Sequence, residues 1–87
     1  MRRQYLSKKT ILKALNLNIP VAETTTQAEL QRWLREEEGI NVHVLLYNDK
    51  VTPTRWNCFI GEDYICGSFC YEKALEKGLR KALKLLV

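Results

Sequence analysis

The closing segment Tyr71–Leu86 constrains the fold more than any other part of this 87-residue chain. Tyr71, Ala74, Leu75, Gly78, Leu79, Ala82, Leu83 and Leu86 recur at i, i+3, i+4, i+7 spacing, which gathers them on one stripe of an α-helix. Such a helix must bury its stripe against another layer, and the rest of the chain has to supply it. Gly78 lies within the stripe, where glycine costs about 1 kcal/mol relative to alanine. A residue that weakens the helix on its apolar face predicts close approach of the sheet or another helix at that point.

Thr26-Gln27-Ala28-Glu29 is a capping box, with Thr26 capping the N-terminus and Glu29 reaching back from N3. It predicts a helix over 27–38 whose stripe is Leu30, Trp33 and Leu34. Gly39 ends it in the left-handed region, and Ile40 folds back on the last turn. A shorter helix is expected over 7–17, with Ser7 as N-cap and Ile11, Leu12 and Leu15 at helical spacing. Asn16 and Asn18 stop it, and Pro20 holds Ile19 extended.

At residue 42 the period changes. Val42, Val44 and Leu46 alternate with His43, Leu45 and Tyr47, which predicts a strand. Asn48-Asp49-Lys50 opens a turn, and Pro53 delays the next strand to residues 54–60. Gly61-Glu62-Asp63 is a tight hairpin loop leading to a third strand over 64–69. In that strand either Ile65 and Phe69 point inward or Tyr64 and Cys66 do. The fold class is therefore α+β, in the order α-α-β-β-β-α: a three-stranded antiparallel meander with helices packed on one face. The expected core brings Val42, Val44, Leu46, Trp56, Cys58 and Ile60 against Trp33, Leu34, Leu75, Leu79, Leu83 and Leu86. One domain is expected over 1–87, with residues 1–25 a basic N-terminal helix and loop and 26–86 the compact core.

The composition is 46% apolar and 28% charged, that of a soluble globular domain. No stretch approaches the roughly 20 apolar residues of a membrane span, and no apolar segment follows the basic start Met1-Arg2-Arg3 as a secretory signal requires. A multidomain enzyme, a transmembrane protein and a disordered tail are excluded. Cys58, Cys66 and Cys70 have seven and three intervening residues, a spacing that matches no zinc signature, and His43 lies far upstream. They are read as structural thiols, which suits a cytoplasmic location, with no metal and no cofactor.

No catalytic constellation is legible, and the chain is not expected to be an enzyme. His43 has no nearby Asp or Ser forming a triad, and Gly67-Ser68 carries no nucleophile-elbow pattern. Glu36, Glu37 and Glu38 are adjacent on a helix end, so they point in different directions rather than converge. No phosphate-loop string is present.

Two surfaces remain. If the strand alternation holds, Leu45, Tyr47, Arg55, Asn57 and Phe59 point away from the helices, and this face is more apolar than solvation needs. The competing reading covers it with the N-terminal helix or the loop from Asn18 to Thr25. The second surface is basic: Lys73, Lys77, Arg80, Lys81 and Lys84 lie beside the apolar stripe, and Arg2, Arg3, Lys8 and Lys9 add a basic N-terminus, in a chain of net charge +4.

The strings Thr26-Gln27-Ala28-Glu29-Leu30-Gln31-Arg32-Trp33-Leu34-Arg35-Glu36 and Tyr71-Glu72-Lys73-Ala74-Leu75-Glu76-Lys77-Gly78-Leu79-Arg80-Lys81-Ala82-Leu83-Lys84-Leu85-Leu86 together resemble short proteins of Bacteroides-type genomes and of phages or other mobile elements. These pair a Q-x-W-L-R-E helix with a closing Y-E-E-A-L-E-x-G-L-x-E-A-L-K-L-I helix and have no assigned activity to transfer. Lys73 and Lys81 stand where acidic residues are common in that family. The layout also resembles double-stranded-RNA-binding domains, but their lysine-rich helix start is replaced here by Tyr71-Glu72-Lys73. Phe69-Cys70-Tyr71-Glu72-Lys73-Ala74 is similar to the strand-to-helix join of phage-type integrase arm-binding domains, which read DNA with the sheet; only Arg55 and Lys50 would serve that here.

The leading expectation is a small interaction module. It contacts an unknown protein partner or a second copy of itself through Leu45, Tyr47, Arg55, Asn57 and Phe59 on the open sheet face, with no membrane involved. The alternative is an accessory nucleic-acid binder of a mobile element using Arg55, Lys73, Lys77, Arg80 and Lys84.

Overall fold

The computed structural model describes residues 4–47 and 55–86. In chain order it contains α1 (Lys8–Asn16), α2 (Gln27–Glu37), β1 (Val42–Tyr47), β2 (Arg55–Ile60), β3 (Asp63–Ser68) and α3 (Tyr71–Leu85). The turn residues Asn48, Asp49, Lys50 and Pro53, the first residue expected of strand two, Thr54, and the basic pair Arg2 and Arg3 lie outside the described residues.

The expected helix caps form. The Thr26 hydroxyl accepts from the Glu29 amide, and the Glu29 carboxylate accepts from the Thr26 amide at 3.1 Å. Gly39 takes φ +65, and the Ile40 amide turns back to the Leu34 carbonyl at 3.0 Å. Ser7 caps α1, and Asn18 follows its end with φ +62, a conformation asparagine tolerates.

The sheet is antiparallel in the order β1-β2-β3. β1 and β2 pair without interruption from Val42↔Ile60 to Tyr47↔Arg55. Between β2 and β3 the pairing slips by one residue: Cys58 faces Cys66, but Phe59 faces Tyr64. Ile65 is thus an extra residue, a β-bulge. It joins Lys77 and Arg80 in lining a hollow on the helix side, and the Cys66 thiol, also on that side, donates to the Ala74 carbonyl at 3.6 Å. Tyr64 and Phe69 are exposed on the other face, in ring contacts with Phe59 and Arg55. Neither strict alternation expected for this strand holds, because the bulge puts two successive residues on one side.

All three helices lie on one face of the sheet. α3 packs against all three strands, α2 packs against α3 and β1, and α1 packs against α3 alone. The core is Leu30, Leu34, Val42, Cys58, Leu75, Leu79 and Leu83, joined by Leu6, Ala14 and Ile19 from the N-terminal quarter. Each fully buried leucine contributes about 2 kcal/mol of burial. The N-terminal segment is tied in at the start of α2, where the Leu6 amide donates to Thr25 O and the Gln27 amide to Gln4 O. Trp33, Val44, Trp56, Ile60 and Leu86 pack against this core half-buried. Leu46, expected in the core, is 53% exposed. Burial falls along β1 from Val42 to Leu46, because α2 crosses this edge strand at Val42, where the Gln31 side-chain amide donates to its carbonyl at 2.6 Å, and the strand runs on past the helices.

Gly78 lies over β2 as its place in the stripe predicts. A Cβ there would collide with the Cys58 sulfur and stand 3.1 Å from Val42 Cγ1. Gly78→Ala should therefore cost about 1–3 kcal/mol by overpacking, although alanine is the better helix former. In a Cys58→Ala background that cost should shrink or change sign, a coupling that urea denaturation of the four proteins in a double-mutant cycle measures. A Gly78→Ala protein more stable than the parent would remove the close contact from the account.

Candidate interaction surface

The sheet face away from the helices is built by period-two alternation on β1 and β2 and by the bulge on β3. From β1 come His43, Leu45 and Tyr47, and from β2 Arg55, Asn57 and Phe59. β3 adds Tyr64 and Gly67, and Phe69 follows it. The His43 ring stacks on Phe59 with centroids 5.4 Å apart, and Tyr64 and Phe59 meet edge to face at 5.9 Å. His43 Nδ1 is shut from solvent without a hydrogen-bond partner. The Arg55 guanidinium lies over Phe69 at 5.7 Å, a cation–π contact. Gly67 leaves a notch into which Arg55 Nη2, Asn57 Oδ1 and Tyr64 Oη converge; a Cβ there would stand 2.8–3.0 Å from all three. Leu45, Tyr47, Tyr64 and Phe69 are 55, 49, 57 and 71% exposed.

Of the residues expected here, Leu45, Tyr47 and Arg55 are exposed, while Asn57 and Phe59 are half-buried beneath their neighbours. His43, Tyr64 and Phe69 belong to the same surface and were not among them. For His43 the signal was available, since it alternates with Val42 and Val44. No described helix covers this face, because α1 packs on α3 and the loop after it, Ile19 to Thr25, packs beside Leu30 and Trp33.

β1 is also an edge strand, with no further strand paired to its outer side among the described residues. The Gly61 amide donates to the Asn41 carbonyl at 2.9 Å, which sets the alternation of the ladder. His43, Leu45 and Tyr47 therefore bond to β2, while Val42, Val44 and Leu46 turn their backbone groups outward. Gln31 occupies the Val42 carbonyl. β1 carries no formal charge, no proline and no bulge, the devices that ordinarily guard an edge.

The basic residues divide between two sides. Arg55 stands on the outer face. Lys77, Arg80 and Lys84 gather on the helix side with Lys13 of α1 and Lys81. Lys73 lies apart from them, near Tyr5, Glu72 and Glu76. The structure thus brings together three of the five residues expected to contact nucleic acid and separates Arg55 and Lys73 from them.

One carboxylate is embedded where the helices meet. Glu76 of α3 accepts from the Ser7 amide at 3.2 Å, from the Ser7 hydroxyl at 3.0 Å, from the Thr10 hydroxyl, and from the Gln27 side-chain amide at 2.9 Å. Gln27 also donates to the Glu72 carbonyl at 2.8 Å, so one buried glutamine joins α2 to α3. Burial pushes the Glu76 carboxyl up, but the hydrogen bonds from Thr10, Gln27 and Ser7 together outweigh it and hold the group below its ordinary value. Its anion also faces the positive N-terminal end of α1. The serine and threonine are donors to this carboxylate, and the imidazole of His43 lies on the far side of the sheet, so the cluster ties helices together rather than activating a hydroxyl.

The thiols are equally quiet. Burial first, and then the neighbouring Cys66, push Cys58 up to about 12. Burial raises Cys66 too, against the pull of Lys77 and Arg80. Both are protonated at neutral pH and poor nucleophiles. Among the described residues no three His, Cys, Asp or Glu side chains converge as metal ligands, and no helix is long and apolar enough to cross a membrane.

Comparison with known proteins returns no matching family, no matching curated protein and no matching solved structure.

The Glu76 cluster has a pH signature. A carboxyl whose folded pKa lies below its unfolded value stabilises the fold above the unfolded value, about pH 4, and that contribution is lost as the pH falls through the folded one. Glu76→Gln should cost about 1–3 kcal/mol at pH 7. Its deficit against the parent should shrink as denaturation is repeated down to about pH 3. A deficit constant with pH would mean that the charge of Glu76 is not what the donors hold.

Proposed function

We propose that this chain is a small interaction module whose partner is a second copy of itself, paired along β1 and sealed by the adjoining outer face. One observation carries the reading: Leu45, Leu46 and Tyr47 are consecutive and all about half exposed. Successive strand residues point to opposite faces, so a partner lying on one face would leave either Leu46 or its two neighbours bare. A contact wrapped around the open edge covers all three. An antiparallel strand is complementary to itself about a two-fold axis, so the self-pairing needs no other sequence. With Leu45 opposite its own copy, Val44 faces the partner's Leu46 and Tyr47 faces the partner's His43, and the Val42 carbonyl already held by Gln31 stays out of the contact. The strand brings no charge into this contact, although the chain carries +4. The other edge, β3, is interrupted by its bulge and opens on Asp63, so pairing closes at two copies rather than running on as a fibre.

The nucleic-acid reading lacks such an observation on this surface, where Arg55 is the one formal charge among the described residues of the face.

Sedimentation velocity from about 1 to 500 μM, spanning the affinities of modest dimers, tests the proposal. The parent should shift to twice its monomer mass, with little change between low salt and about 0.5 M, where surface charges are screened. Leu46→Lys, which guards the edge without disturbing the core, should stay monomeric with an unchanged circular dichroism spectrum, whereas Tyr64→Ala on the far strand should dimerise more weakly or as before. A parent that remains monomeric throughout, or a Leu46→Lys protein that dimerises like the parent, would contradict the reading.

A further inference from the structure

On the helix side, the end of α3 and the last turn of α1 border with β3 a shallow, open hollow of about 270 Å³ lined by Lys13, Ile65, Lys77, Arg80, Lys81 and Lys84. Five of the six described lining residues are cationic. Their gathering has a local cause: Lys77, Arg80, Lys81 and Lys84 are spaced three and four apart, which aligns them on one helix face, and the packing of α1 on α3 brings in Lys13. No described carboxylate pairs with any of the five. The acids of α3, Glu72 and Glu76, lie toward its other end, where Cys70 donates to Glu72 and Ser7, Thr10 and Gln27 donate to Glu76.

This clustering of like charge is unfavourable in itself. Lys77/Arg80, Lys77/Lys81, Arg80/Lys84 and Lys81/Lys84 are like-charge pairs at i+3 or i+4, and each is mildly repulsive. The helix dipole offsets this only within the last turn, at Lys84. The shape of the site restricts what would relieve it. The hollow is below the roughly 300–1,000 Å³ of a drug-sized pocket. Among the described residues that line it there is no aromatic ring to stack a base and no carboxylate to hold sugar hydroxyls or a cation. What it offers is closely spaced positive charge, one guanidinium fork for bidentate contact with phosphate, and a single apolar wall at Ile65.

We propose that this hollow is a binding site for linked phosphate groups, read through their charge and not through any attached base. The site is separate from the β1 edge, so it stands or falls independently of self-association. Such groups come either as a free oligophosphate or as the backbone of a nucleic acid.

Calorimetric titration of the full chain in phosphate-free buffer at about 0.1 M salt, where long-range attraction is largely screened, distinguishes these. The probes are inorganic tripolyphosphate, orthophosphate, and single- and double-stranded oligonucleotides. Saturable binding of one tripolyphosphate per chain, at least about tenfold tighter than orthophosphate because the charges are linked, is the expected result and identifies a free oligophosphate. Oligonucleotide binding that tripolyphosphate displaces, and that falls steeply with salt, supports the site with a backbone as its source. Arg80→Ala and Lys81→Ala should each weaken either interaction several-fold, while Lys73→Ala and Arg55→Ala, outside the hollow, should leave it unchanged. Amide shifts in a titration followed by NMR should cluster at Lys13, Ile65 and Lys77–Lys84. No saturable binding of any probe, or equal losses from Lys73→Ala and Arg80→Ala, would overturn the proposal.

Discussion

Everything in this structure is positioned by the seating of α3 on β2 at Gly78. The missing side chain lets the helix come down until the Cys58 sulfur and Val42 fill the place a Cβ would take. At that separation Leu75, Leu79 and Leu83 reach the sheet, and Ala74 and Ala82 are buried without holding it off. α3 is the one element in contact with every other. The cost of a mid-helix glycine, about 1 kcal/mol, is accepted for a close-packed seam that three strands alone could not provide.

Around this seam the molecule divides its chemistry by side. The helix side holds the core, the half-buried polar tie at Glu76 and the cationic hollow at the end of α3. The outer side holds aromatic rings, one guanidinium and an uncharged edge. Because three helices crowd one face, none is left for the other, and the outer face is exposed as a consequence of the same packing that stabilises the fold. Glu76 is the polar counterpart of Gly78: two residues earlier and therefore on another side of the helix, it stands where α1 begins and α2 begins, so a single carboxylate closes both junctions.

Much of this was legible in the residues. The capping box at Thr26, the stop at Gly39, the change of period at Val42 and the stripe of α3 are local signals, and local physics decides them. What escaped is non-local. The bulge at Ile65 depends on how two strands are matched, and alternation within one strand carries no trace of it; hence Tyr64 and Phe69 were not assigned to the outer face. Leu46 alternates like a core residue but lies beyond the reach of the helices, a matter of where the layers end. Lys13 joins Lys77 and Arg80 only through the packing of α1, and Glu76 looks in the sequence like any acid on a charged helix face.

Native-state hydrogen exchange tests the central claim, that α3 seated on β2 is the unit on which the rest is assembled. Amides of α3 from Leu75 to Leu83 and of β2 around Cys58 should exchange last and together, with the free energy of global unfolding. α1, which touches α3 alone, should open earlier. If α3 exchanges by local opening while α1 or β1 remains protected, the seam at Gly78 is not what holds this protein together.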